Sequence, residues 1–438
     1  MDTQVLLSLI GVVLGIALVM LLSFQGVSAL FSAVAAAAIM LLFSGLDVQN
    51  GVLKEYAAGL ANQVSSVLMM YYGTCLFAGV MNATNCTQSV AEFISSCFGV
   101  KYSCTALMII GILLRLGGLN TGTYLIMFDI GIVMMSKANY SENILFATIV
   151  GACMTFACSS PFFPSTHNNL VQAAWETTSS AGLVPGMASG IVQAVLTILF
   201  LEFLVRKWQK KGKGFTAWDL VKSGEELEGQ KKHYPSVVLA MIPFIVVILT
   251  YNVWHLPLAV CCLLATVVAT ALNVKKFSPK EWLTLWSKGF TTAIPMVMGL
   301  SAMTGLGAVV KTTPFFNWIF EVMSNSTLNP LVLLFVSSSV ITAAVGSAGS
   351  AITLSLTTLE PFIAQWQAAG YTLGAMQRVL INGAIWPSIL PTNGIVSVLN
   401  EICHTDCKRS YFPAMIVGIV IPFIGAAFVC LPLAMMGL

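Results

Sequence analysis

Apolar residues in this chain come in long blocks with little polar punctuation. A helix needs about 17–25 apolar residues to cross the hydrocarbon of a bilayer. Runs of that kind lie at roughly 4–22, 27–45, 60–81, 186–205, 236–254, 257–274, 292–311 and 412–436, and each predicts a membrane helix. Two more spans, about 142–180 and 376–400, carry prolines in their middles and predict helices broken at membrane depth. The stretches 103–136 and 330–364 have small-residue midpoints, which predict helical hairpins that enter the membrane and turn back. The first run is followed at once by others, so it reads as a membrane helix and not as a cleaved signal peptide.

The interruptions occur twice. Gly117-Gly118-Leu119-Asn120-Thr121-Gly122-Thr123 answers Gly346-Ser347-Ala348-Gly349-Ser350, with Gly122 and Gly349 227 residues apart. Forty-two residues beyond each glycine lies a proline break, Ser160-Pro161-Phe162-Phe163-Pro164-Ser165-Thr166 and Pro387-Ser388-Ile389-Leu390-Pro391-Thr392-Asn393, again at an offset of 227. The stretches Gly59 to Thr84 and Gly289 to Pro314 run parallel at offset 230. Matched glycine and proline interruptions in two halves of an apolar chain point to a secondary transporter with its site at the breaks.

Composition and charge fix the setting. With 57% apolar residues and 8% charged ones, the chain cannot present the surface of a water-soluble protein. The segment from Arg206 to His233 holds eight of the twenty Lys and Arg, which predicts a cytoplasmic linker. Threading five crossings and one hairpin through each half puts sixteen basic residues inside and only Lys54 and Lys311 outside. An odd number of crossings inverts the second half relative to the first and leaves both termini external. The predicted fold is therefore an all-α polytopic membrane protein of two inverted-topology repeats, each with about five crossings, one re-entrant helical hairpin and one broken helix. Its parts are a first repeat at 1–205, with a hairpin entering from the cytoplasm at 103–136 and a broken helix at 142–180; a charged linker at 206–235; and a second repeat at 236–438, with a hairpin entering from outside at 330–364 and a broken helix at 376–400. Orientation accounts for the basic linker, so no nucleic-acid partner is needed.

Backbone broken in hydrocarbon must line protein or water, and half-helix N-termini offer free N–H groups and partial positive charge to an anion. The candidate substrate residues are those at the breaks: Asn120, Thr121, Gly122, Ser160, Pro164, Ser165, Thr166, His167, Asn168, Gly346, Ser347, Gly349, Ser350, Ser388, Thr392, Asn393 and Gly394. Their side chains are mostly neutral donors and acceptors, able to replace a hydration shell without a permanent charge. Capping of kinked helices explains any one of them equally well, but not the matched set. Asp129 and His167 are the proton-coupling candidates; a structural acid and a packing histidine are the competing readings. Arg115 and Arg378 either face an anion or snorkel to the surface. The eleven cysteines form no disulfide framework, and Cys403-His404 with Cys407 lacks a fourth ligand, so no metal site or cofactor is expected. No phosphate-binding Gly-Lys-Ser/Thr loop, nucleophile elbow or His-Glu-x-x-His helix is present, which excludes an ATP-driven pump and the common membrane hydrolases and leaves no enzyme chemistry.

The stretch Asn382-Gly383-Ala384-Ile385-Trp386-Pro387-Ser388-Ile389-Leu390-Pro391-Thr392-Asn393-Gly394, continuing to Cys403-His404-Thr405 and Tyr411, resembles the gluconate permease (GntP) family, as do Gly26-Val27-Ser28-Ala29-Leu30 and the Ser160 to Asn169 segment. The resemblance implies a member of the ion transporter superfamily in a bacterial inner membrane, multi-pass, carrying a small organic anion such as a sugar acid or carboxylate with H+ or possibly, as in relatives, Na+. It also implies a homodimer in the bilayer working as an elevator. Thr392 stands where family members often carry His, which leans toward sodium. Sodium symport with a carboxylate, and an uncoupled channel-like or lipid-handling protein, stay as alternatives. On this reading Asn393→Ala and Ser165→Ala lower transport and spare folding.

Overall fold

The computed structural model describes every residue except Met1, Gly26, Asn120, Thr121, residues 218–233, Asn325, Thr327, Gly346, residues 391–393 and Asp406. Among the described residues all regular structure is helical. Among these described residues, four helices are long and apolar enough to cross a membrane: Val48–Ala83, Leu183–Lys210, Pro279–Thr312 and Arg409–Met435. Shorter apolar helices include Thr3–Val19, Leu30–Phe43, Val237–Asn252 and Leu258–Leu272. Large apolar side chains such as Leu21, Leu199, Phe203, Val238 and Leu283 stand exposed on these helices. A surface of that kind suits lipid and not water.

Helix boundaries follow local chemistry. Pro279–Thr312 begins 13 residues before the apolar run read from 292, because Ser278 and Glu281 form a reciprocal capping box with Pro279 in the first turn. Lys280, Glu281 and Lys288 kept that front end out of the hydropathy signal. Along Cys407–Met435 the helix passes through two wider turns, Ile416–Val420 and Ala426–Cys430. Pro422 and Pro432 each follow one of them. Proline lacks an N–H and crowds the carbonyl four residues back, and a π turn absorbs both.

Element order runs in parallel on the two sides of residues 218–233. Ala57–Ala83 leads to Cys86–Phe98 and then to the hairpin Ser103–Leu116 and Gly122–Ala138. Pro279–Thr312 leads to Pro314–Ser324 and then to Pro330–Val345 and Ala348–Thr358. The two short helices Cys86–Phe98 and Pro314–Ser324 are absent from the hydropathy reading, since each is apolar on one side only. The interrupted helices follow, as Ile144–Cys153, Phe156–Ser159 and Thr166–Trp175 on the first side and, after the additional helix Glu360–Ala368, as Leu373–Ile385, a 3-10 turn at Trp386–Ile389, and Gly394–Ile402 on the second.

Two long helices form the spine. Ala57–Ala83 lies along Pro279–Thr312, flanked by Leu258–Leu272 on one side and Ala29–Phe43 on the other. Small residues let the backbones meet: a Cβ on Gly59 would stand 2.6 Å from the Ala308 Cβ, and one on Gly305 2.8 Å from the Tyr56 carbonyl oxygen. Between helices in lipid, such close approach supplies the dispersion contact that hydrophobicity cannot. Away from the spine, each interrupted helix packs against the hairpin of its own half. The second arm of each also meets the returning arm of the other half's hairpin, Thr166–Trp175 on Ala348–Thr358 and Gly394–Ile402 on Gly122–Ala138.

Candidate functional site

The first break is a six-residue loop, Ser160 to Ser165, between Phe156–Ser159 and Thr166–Trp175. Ser165 closes both helix ends: its hydroxyl donates to the Cys158 carbonyl at 2.8 Å and accepts from the Asn168 N–H at 3.1 Å. Asn168 is fully buried and gives its amide N–H groups to the carbonyls of Ser160 and Phe163, both at 2.9 Å. Its Oδ1 takes a hydrogen bond from Arg378 Nη1 at 2.7 Å. Ser165 and Asn168, expected to face substrate, thus have these polar atoms committed within the break. Ser160 is also buried, but its hydroxyl has no protein partner.

Arg378, on the first arm of the other interrupted helix, is completely buried. Besides Asn168, its guanidinium donates to the carbonyls of Ala181 at 2.7 Å, Ser159 at 2.9 Å and Ser179 at 3.2 Å. The side chain is therefore not snorkelling; it holds the two interrupted helices together. Gly182 makes room for it. A Cβ there would lie 2.5 Å from Arg378 Cγ, and the backbone sits at φ +58°, where glycine is at ease.

Arg115 ends the entering arm of the first hairpin. It is buried, and its Nη2 lies 3.2 Å from Cys158 Sγ at the first break. His167, in the first turn after that break, lies within electrostatic range of Arg115. Its Nδ1 is shut off from solvent and has no protein partner. Tyr71, from the Ala57–Ala83 helix, stands beside Thr166 and Arg115, and Tyr124 of the returning hairpin arm completes the group. Gly122 opens that arm, and Thr123 behind it is buried with its hydroxyl on the Leu119 carbonyl at 2.8 Å. Asp129 sits on the same arm with its side chain exposed.

Beside the second arm of the first break lies a cavity of about 610 Å³. Its lining is mainly apolar, with Met69, Met70, Leu170 and Leu256 among others, and Gln63, Ser66, Asn169, Gln172, Tyr251, His255 and Thr353 supply polar groups. Tyr251 donates to Gln172 Oε1 at 2.9 Å, while the amide nitrogens of Gln63 and Gln172 are buried without a protein partner. Neutral amide, hydroxyl and imidazole side chains in a cavity wall suit a ligand rich in polar oxygens. None of these residues was picked out from the sequence. A glutamine at position 63, inside an apolar run, is the signal that could have found one of them.

On the second side, Ser347 caps Ala348–Thr358 by accepting from the Ser350 N–H at 3.5 Å. Buried Ser350 donates to the Leu300 carbonyl at 3.2 Å, and Gly349 faces the Leu300 side chain. Buried Ser388 donates to the Ile385 carbonyl at 2.7 Å. Tyr411 reaches back to the Ile389 carbonyl at 3.0 Å. Gly394 opens the second arm, and Pro164 lies buried in the first break. Asn120, Thr121, Gly346, Thr392 and Asn393 fall outside the described residues.

Interrupted helices interlocked with hairpins, an apolar exterior and a cavity with a few polar side chains beside the break define a polytopic membrane transporter. A model of the GntP family permeases matches residues 5–256, and the chain belongs to that family. It is similar to the uncharacterized transporter YxjC of Bacillus subtilis (strain 168), with 21% identity over 451 residues that span 92% of this chain and 94% of that one. It is also similar in fold to the Alcanivorax borkumensis YdaH transporter, whose crystal structure shows an unusual topology; the TM-score is 0.54 at 13% identity, over 100% of this chain and 99% of the other.

Proposed function

We propose that this permease imports a small organic anion, a sugar acid or related carboxylate, together with protons, through two inverted repeats in a bacterial inner membrane. The reading rests first on the 610 Å³ cavity, which Gln63, Asn169 and Gln172 line from helices of different parts of the fold. Neutral donors at this wall suit hydroxyl and carboxylate oxygens. Arg115, at the hairpin tip, supplies positive charge beside His167.

Coupling follows from the pairing of Arg115 with His167. Two positive charges side by side in a poorly polarisable interior repel each other strongly. A carboxylate drawn between them removes that repulsion, so anion and proton bind more tightly together than apart, and each raises the other's affinity by the same factor. That reciprocity is what a symporter requires. Asp129, whose side chain is exposed, is assigned no part in it.

Uptake of labelled gluconate into proteoliposomes tests the proposal. Gluconate uptake that persists with choline in place of sodium, and collapses on adding a protonophore, supports it. Uptake abolished by removing sodium at fixed pH refutes proton coupling in favour of sodium. Uptake that only equilibrates under every gradient refutes coupling altogether. His167→Gln is expected to uncouple gluconate entry from the proton gradient, and Gln172→Ala to raise the half-saturating gluconate concentration about tenfold.

A further inference from the structure

The helix Leu183–Lys210 carries a second feature, at the end where it leaves the apolar layer. Ile198, Leu199, Glu202, Phe203, Arg206, Lys207, Lys210 and Lys211 recur in pairs every four residues, which sets them on one helix face. That face is apolar in its first turns and basic in its last. Tyr102 and Thr105, at the root of the first hairpin, form the opposite wall of a groove of about 870 Å³. Leu199 and Phe203 are each 61% exposed within it. Arg206 is held in place from two sides, its Nη2 3.3 Å from Glu202 Oε2 and its guanidinium carbon 5.5 Å from the centre of the Tyr102 ring.

We propose that this groove binds an anionic phospholipid, with its phosphate among Arg206, Lys207, Lys210 and Lys211 and an acyl chain along Ile198, Leu199 and Phe203. The order of chemistry along the face, apolar and then cationic, is the order of a lipid from tail to headgroup. Basic pockets between helices at a membrane surface recognise such headgroups. The site also reaches the transport machinery. Glu202 Oε1 accepts from both the backbone N–H of Thr105 at 3.2 Å and its hydroxyl at 2.8 Å. These groups lie in the first turn of Ser103–Leu116, the arm that ends at Arg115. A phosphate beside Arg206 takes up part of the charge that otherwise draws Glu202 toward Arg206, and so leaves Glu202 to hold Thr105. Lipid binding then steadies the hairpin root.

The test uses the full chain, stripped of lipid in detergent and titrated with phosphatidylglycerol or phosphatidylcholine under native mass spectrometry. That readout is independent of transport. Wild type is expected to retain phosphatidylglycerol in preference to phosphatidylcholine. Lys207→Gln combined with Lys210→Gln and Lys211→Gln should weaken the retention roughly hundredfold, while Lys→Arg at the same positions preserves it. Equal retention of both lipids, or a triple Gln variant that binds as wild type does, overturns the proposal. Displacement of the lipid by millimolar inorganic phosphate would reassign the site to a soluble anion and overturns it as well. So does a disulfide between two copies carrying Phe203→Cys in lipid, which would assign the face to a dimer contact. Hydrogen exchange then reads the clamp. Phosphatidylglycerol should slow exchange across residues 103–116 in wild type and not in Glu202→Gln; protection in both overturns the link to the hairpin.

Discussion

The two interrupted helices share a plan and differ in where they carry charge. Counting 227 residues on, Arg115 corresponds to Thr342, Gly151 to Arg378 and His167 to Gly394. At each position one half has a basic side chain and the other a small or neutral one. Thr342 is buried with its hydroxyl on the Ser338 carbonyl at 2.8 Å. Gly151 is so enclosed that a Cβ would come within 2.6 Å of Thr197 Cγ2 and 2.8 Å of Val417 Cγ1. Ionised groups are costly in a membrane interior unless hydrogen-bonded or paired, so duplicated charge would need duplicated partners. Helix lengths, hairpins and breaks recur, whereas the cationic chemistry occurs once per pair. One half's arginine binds the other half's loop.

That asymmetry can be broken at three places. Arg378→Gln should have the largest effect, because it strips donors from Asn168 and three buried carbonyls; a loss of at least about 3 kcal/mol is expected. It would be seen as a lower melting temperature of the detergent-solubilised protein, and Arg378→Lys should fail to restore it, since an ammonium lacks the planar fork. Gly151→Val imposes bulk at the uncharged counterpart and should cost about 1–3 kcal/mol through overpacking, on the same melting measurement. Ser165→Ala removes one cap and one donor from the first break alone, for about 1 kcal/mol. Its melting shift should be the smallest of the three, and a shift equal to that of Arg378→Gln would mean that the loop, not the arginine, joins the halves.

Much of the frame was legible in the sequence. Long apolar blocks located the membrane helices, and glycine and proline located the interruptions, because both signals are local in the chain. The front of Pro279–Thr312 was not legible from hydropathy, although Ser278, Pro279 and Glu281 spell out a helix start. The site was less legible. Ser165 and Asn168 were correctly seen to lie at the break, but the partner that ties Asn168 to the other half lies far along the chain. The bond from Arg378 to Asn168 spans 210 residues. Gln63, Gln172 and Tyr251 meet across a cavity that no window along the chain brings together.

The staple at Arg378 also sets a timetable for biogenesis. Its acceptors at Ser159, Asn168, Ser179 and Ala181 leave the ribosome about two hundred residues before the arginine does; the separation to Ala181 is 197. At roughly 5–20 residues per second, those polar groups wait on the order of 10–40 s in a nascent chain already entering the bilayer. The first half therefore reaches the membrane with its break unfastened. It becomes a finished structure only when the second half arrives to lock it.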